Sequence, residues 1–181
     1  MNKQIRPVSE LPISNKLARM LWGVAWILLF RITPRPFHAW RCLVLGVFGA
    51  RIGRGVRVYQ SVKIWAPWNL TMGNRSCLGD YVDCYNVGEV CLEEGAIVSQ
   101  YSYLCTASHD YDHHSNSLTF APIRICKNAW IAADVFVGPG VTVGAGAVIA
   151  ARSTVIKDVP EWTVVAGMPL RVIGQRNLQD D

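Results

Sequence analysis

Over one long stretch of the chain an aliphatic residue returns at every sixth position: Ile125, Ile131, Val137, Val143, Ile149 and Val155. Four places after each of the first five stands a small or β-branched residue: Ala129, Val135, Val141, Ala147 and Ser153. An amphipathic helix repeats its apolar positions every three or four residues, and a half-buried strand alternates, so neither explains this period. A short flat strand followed by a tight bend does. One aliphatic and one small residue per unit then point into a shared interior, and three such units close a triangular coil. The same phase occurs earlier, at Ile52, Val58 and Ile64, at Met72, Leu78 and Cys84, and at Leu92, Val98 and Leu104. It slips at Leu70-Thr71, across Gly88 to Cys91, and most of all between His109 and Ile125. Slips in a stacked repeat are where loops leave the stack, and loops on a rigid scaffold tend to carry function.

Ahead of the repeats the pattern is helical. Leu17, Met20, Leu21, Val24 and Leu28 form a stripe that Ser14 is placed to cap, and Pro34 and Pro36 stop it. Pro36 is placed to open a second helix through Phe37, Trp40, Val44, Leu45 and Phe48, ended by Gly46 or Gly49. The expected organisation is a helical cap over residues 1–50, a repeat domain over 51–174 with a loop at 109–122, and a tail over 175–181. The longest apolar run, Met20 to Phe30, is about half the roughly 20 residues a bilayer span requires and lies too far in for a signal peptide. Neither a span nor an export signal is expected.

Composition sharpens this picture in two places. Of 181 residues 51% are apolar and 17% charged, enough to bury one core and too apolar for a disordered chain. The net charge of +5 is uneven: residues 1–63 hold 11 of the 18 Lys and Arg and, in Glu10, one of the 13 acidic residues. No finger, helix-turn-helix or aromatic RNA-binding motif accompanies that basic third, so nucleic acid is not an expected partner. Trp22, Trp26 and Phe30 share a helical face flanked by Arg19 and Arg31, which suits an anionic membrane surface. Burial of that face over the open end of the stack is the stronger expectation, because a solenoid needs its end covered. Trp65 and Trp68 are expected to cover a coil or a subunit interface. The six cysteines contain no CxxC pair and read as buried thiols of a cytosolic protein.

The segments TASHDYDHH (106–114), NAWIAADVFVGPGVTVGAGAVIAARSTVIKDVP (128–160) and VVAGMPLRVI (164–173) resemble the hexapeptide-repeat acyltransferases, specifically the sugar O-acetyltransferases acting on maltose, galactosides and colanic acid. The resemblance covers about residues 50–174, and FRITPRPFHAWR (30–41) is most similar to the colanic acid branch. It implies an all-β fold, a left-handed parallel β-helix with an N-terminal helical segment, assembled as a homotrimer with active sites between neighbouring subunits. The hand comes from the resemblance alone, since crossovers between parallel strands are nearly always right-handed. The implied reaction moves an acetyl group from acetyl-CoA to a hydroxyl of a sugar or lipid-linked oligosaccharide in exopolysaccharide biosynthesis. Its setting would be cytoplasmic, peripheral to the inner membrane.

A hydroxyl is a poor nucleophile until its proton is removed, and neutral imidazole does this near pH 7. His109 follows Ser108, expected to point inward, and so should sit at a coil corner facing out; in the family the matching histidine is the general base. Asn86 matches the family asparagine that holds the acceptor hydroxyl, and Asp83 is a second acceptor-site candidate from the same coil. Trp130, Ala133 and Ala151 fall where the family lines the pantetheine slot, although Ala132-Ala133 and Ala151-Arg152 depart from the Gly-Ser and Ala-Gly often seen there. Lys157 and Arg171 fall beyond the last coil, where the phosphates of coenzyme A would be met by cations. His113 and His114 adjoin each other, a spacing that rarely binds one ion, so no metal is expected. His38 reads as a packing or surface residue. Two rival readings share the fold: an N-acyltransferase acting on an amino sugar, and a non-catalytic trimeric scaffold.

Overall fold

The computed structural model describes residues 6–8, 12–112 and 114–177. Short strands wind into three parallel sheets that the chain visits in strict rotation, giving a three-faced prism. The first face stacks Arg51–Ile52, Leu70–Met72, Val90–Leu92, Ile123–Ile125 and Thr142–Val143. The second stacks Arg57–Val58, Cys77–Leu78, Ile97–Val98, Trp130–Ile131, Val148–Ile149 and Thr163–Ala166. The third stacks Lys63–Ile64, Asp83–Tyr85, Tyr103–Cys105, Phe136–Val137 and Thr154–Val155. The six-residue phase is the physical reason. Ile125 lies in register with Val143, Ile131 with Ile149 and Val137 with Val155, and all six have no exposed surface. Burying each such side chain contributes about 1.5–3 kcal/mol.

The corners use left-handed backbone. At the edge between the second and third faces Tyr81, Tyr101, Asp134 and Arg152 all have φ near +60°. They are hydrogen-bonded in a column: Tyr101 N–H donates to the Asp80 carbonyl, Asp134 to Gln100 and Arg152 to Ala133. This column aligns the equivalent corner of four successive coils.

At the N-terminal end α1 (Ile13–Ala25) continues into a π-helical turn (Trp26–Arg31), followed by α2 (His38–Val47). Pro12, not Ser14, is the N-cap of α1, and no side chain caps it. The helix starts two residues earlier than the capping pattern suggests, which places Ser14 inside its first turn. Phe37 is the N-cap of α2. Gly49 closes α2: its φ is +90°, its N–H donates to the Gly46 carbonyl, and Ala50 N–H reaches back to Leu45. That paired arrangement needs a residue at ease in left-handed backbone just past the helix, which Gly46 is not positioned to be.

The tryptophan face of α1 is turned onto the prism. Trp22 and Phe30 are buried, and the indole N–H groups of Trp22 and Trp26 donate to the carbonyls of Ile64 (2.7 Å) and Val62 (2.9 Å) in the first coil. This face packs over the first coil, with Trp22 and Phe30 buried and Trp26 half-buried, so most of it is covered by the prism. Arg19 lies over the Trp65 ring at 4.2 Å, so Trp65 covers the first coil under α1. His38 packs edge-on to Tyr59. Among the cysteines Cys77, Cys84 and Cys105 are buried, whereas Cys42, Cys91 and Cys126 are half-buried, fewer buried thiols than expected. Burial pushes the Cys42 thiol up to about 11.

The chain leaves the prism after Thr106, whose buried hydroxyl donates to the Tyr85 carbonyl and accepts from Gly88 N–H. Ala107–His109 then pairs antiparallel with Leu118–Phe120, and the backbone of Arg6–Val8 adds a third strand. Ser108, expected to face inward, is exposed. The inward phase ends at Thr106 because the backbone partners of the next three residues lie in the hairpin, not in the coil below.

Candidate active site

His109 projects from the end of that hairpin at the corner between the third and first faces, and it is exposed. Its Nδ1 lies 2.8 Å from the Asn116 carbonyl oxygen. A carbonyl only accepts, so in the neutral ring Nδ1 carries the proton and Nε2 presents the lone pair. Asp110 N–H donates to Ser117 O across the same loop, holding it closed. The sequence suggested an exposed corner histidine; the carbonyl that fixes its tautomer lies across a turn whose closure no local pattern announces.

Asn86 directly follows the third-face strand Asp83–Tyr85 one coil below. It has no exposed surface: its Oδ1 accepts from Ala66 N–H at 3.0 Å and its Nδ2 donates to Ala66 O at 2.7 Å. Within one chain both amide groups are thus engaged by the preceding coil. The amide clamps the preceding coil at the register slip, a place where two backbone groups would otherwise be orphaned in the interior. Asp83 opens the same strand, between Lys63 and Tyr103 on the outer side of the third face. Burial raises its carboxyl above the ordinary value, and Lys63 opposes that shift.

The remaining candidates lie on other parts of the prism. Trp130 stands half-exposed on the second face with its indole N–H on Ser99 Oγ (2.9 Å). Ala133 and Ala151 follow it at the edge between second and third faces, in the column that begins with Asp80 and Gln100. Small side chains leave the backbone open along that edge at the fourth and fifth coils. Lys157 and Arg171 both line a cleft of about 600 Å³ at the C-terminal end, with Ile156, Val165 and Met168 supplying apolar walls. Arg171 opens the strand Arg171–Gln175, which folds back antiparallel on Thr163–Ala166. Two cations on one apolar cleft suit a ligand with a phosphorylated end and an extended arm.

A second cleft on the slot edge was not read from the sequence. Tyr81 and Tyr101 stack one coil apart (5.1 Å between centroids, 1° between planes) beside Asp80, Arg35, Ser99 and Gln100, around about 450 Å³. Arg35 donates to Asp80 at 2.6 Å. The available signal was Asp-Tyr recurring as Gln-Tyr at the same phase in consecutive coils; the arginine arrives from the N-terminal segment, which no repeat pattern places. His113 lies outside the described residues, and among those described no cluster of three or more His, Cys, Asp or Glu suits a metal ion.

One chain therefore does not bring its own candidates together. His109 occupies one edge of the prism, while Trp130, Ala133 and Ala151 occupy the second face and the next edge.

A solenoid of this kind with an exposed imidazole beside its largest loop is the architecture of a hexapeptide transferase, and residues 122–157 match the family described as bacterial transferase hexapeptide (six repeats). The chain is 41% identical over 162 residues to a protein of Escherichia coli strain K12 named for colanic acid biosynthesis acetyltransferase, WcaF, covering 90% of this chain and 89% of that one. It superposes on a galactoside acetyltransferase solved in complex with coenzyme A with a TM-score of 0.85, 25% identity, and 95% and 87% of the two chains covered. A hexapeptide-repeat acetyltransferase of Vibrio cholerae, complexed with acetyl coenzyme A, gives 0.79 at 23% identity over 91% and 89%. The chain belongs to the hexapeptide-repeat acetyltransferase family, is an enzyme of that class, and folds as a left-handed parallel β-helix.

Proposed function

We propose that the protein transfers an acetyl group from acetyl-CoA to a hydroxyl of a sugar or lipid-linked oligosaccharide during exopolysaccharide synthesis on the cytoplasmic side of the membrane. The observation that carries this reading is the His109 ring, held at Nδ1 by the Asn116 carbonyl with Nε2 free to take a proton. Nε2 removes the hydroxyl proton as the oxygen attacks the thioester carbonyl; the C–O bond forms, the C–S bond breaks, and the proton passes to the departing thiolate. No acyl-enzyme is formed. Pantetheine lies along the edge of Ala133 and Ala151 beside Trp130, with the coenzyme phosphates near Lys157 and Arg171. The acceptor occupies the cleft of Asp80, Tyr81 and Tyr101 farther up the same edge.

His109 reaches that edge from a neighbouring copy. The separation of His109 from the slot within one chain supports a homotrimer in which each site takes its base from one subunit and its slot from the next.

Calorimetry with acetyl-CoA tests the donor half. The parent chain binds, and Lys157→Ala or Arg171→Ala each weakens binding about tenfold, the loss expected for one charge-assisted hydrogen bond. Absence of binding by the parent contradicts the reading and favours a scaffold without catalysis. Turnover with hydroxyl against amino acceptors tests the other half: preference for the amine contradicts O-transfer.

A further inference from the structure

The side of α1 turned away from the prism is apolar along its whole length. Leu17, Met20, Leu21, Val24, Ile27 and Leu28 are each more than half exposed and recur three or four residues apart, so they form one continuous stripe. Trp40 of α2, whose indole N–H donates to the Leu29 carbonyl at 2.7 Å, carries the surface onto the second helix. Scattered apolar residues are ordinary on a protein surface, whereas a contiguous stripe marks a docking face.

Charge says what docks. From Pro12 to Lys63 the chain has no acidic residue, and exposed Lys16 stands toward the N-terminal end of the stripe, while Arg31 lies over the Trp26 and Tyr81 rings and Arg35 pairs with Asp80. A second copy seated on this face would set like charges against one another. A bilayer with anionic headgroups offers an apolar interior and negative charge together. The helical segment from Ile13 to Arg31 is 19 residues long with mean hydropathy 1.2, which meets the length and composition of a bilayer crossing and exceeds what the run Met20 to Phe30 alone suggested. Its other side is nevertheless fastened to the first coil through Trp22, Trp26 and Phe30, and a helix packed lengthwise on the prism cannot also cross.

We infer that this outer face of α1 docks the protein on the surface of an anionic bilayer, with the helix lying in the interfacial plane. The contact is the reverse of the tryptophan face, and it does not depend on the acetyl-transfer reading.

The test uses the full chain in flotation with vesicles of phosphatidylglycerol and phosphatidylcholine in equal parts, or of phosphatidylcholine alone. Binding is expected to the anionic vesicles and to fall at high salt. Met20→Gln, Val24→Gln and Leu28→Gln combined should weaken it by at least about tenfold. Glutamine is a good helix former and all three positions are exposed, so mass in solution and acetyl-CoA binding should be unchanged. Lys16→Gln should reduce the salt-sensitive part. Failure of the parent to float, undiminished binding by the triple variant, or a changed oligomeric mass in that variant overturns the inference, the last by identifying the stripe as a contact between copies. Resistance to extraction from membranes by alkaline carbonate overturns it in favour of a crossing helix.

Discussion

His109→Ala is expected to lower turnover about 10²- to 10⁴-fold while acetyl-CoA affinity stays at the parent value. The split follows from placement. His109 stands at the end of a hairpin on one edge of the prism, whereas the cations expected to hold the coenzyme line the C-terminal cleft. Truncation should leave the hairpin intact, since Ala107 and Ser108 keep their pairing with Phe120 and Thr119. His109→Gln is the sharper variant: it restores a polar side chain to the site but has no basic nitrogen, so it should be nearly as slow as the alanine form. Steady-state kinetics beside calorimetry check both. Turnover within about threefold of the parent would remove imidazole from the reaction.

Arg41→Ala should cost about 3–5 kcal/mol of unfolding free energy, the largest stability effect expected of a single side chain here. Arg41 has no exposed surface. Its Nε donates to Val58 O (2.6 Å), Nη1 to Thr33 Oγ1 (2.8 Å) and Pro34 O (2.9 Å), and Nη2 to Arg35 O (2.5 Å). One planar group thus ties α2, the turn before it and the second-face strand of the first coil. Burial lowers its proton affinity from the usual value, but a guanidinium stays charged at any pH the protein experiences. Removing it orphans several carbonyls at once. Arg41→Lys should recover little, because an ammonium donates from a single point and cannot span the same acceptors. Urea unfolding at fixed protein concentration measures the loss, and limited proteolysis should cut first in the helical segment. A loss below about 1 kcal/mol would mean that water replaces the guanidinium, which contradicts a dry junction.

The prism was legible because its code is local and periodic. Each aliphatic residue of the six-residue phase needs only a bend on either side to reach the interior, and every coil repeats that decision. Where the phase slips, the local pattern no longer says which partner a side chain meets. Asn86 sits at such a slip and turns inward to serve Ala66, a partner one coil away that the sequence does not mark. Ser108 is exposed for the related reason that the chain had already left the coil at Thr106. The helical cap was legible as helix, and its buried side was identified correctly by the indoles. Its second apolar side was visible as the stripe from Leu17 to Leu28, yet amphipathic logic assigns one apolar face to the core, and here both sides of the helix are apolar. The cleft around Tyr81 and Tyr101 needed Arg35, delivered by a segment outside the repeat.

The central claim, that base and slot come from different copies, is tested most directly by mixing two dead variants. His109→Ala lacks the base and Ala151→Trp fills the slot at an exposed corner, so each alone should be inactive. Expressed together and allowed to assemble at random, they should regain about a quarter of parental turnover, because about one site in four then joins an intact His109 to an intact slot. No recovery from assemblies shown by mass to contain both chains would place base and slot on the same chain and contradict the account.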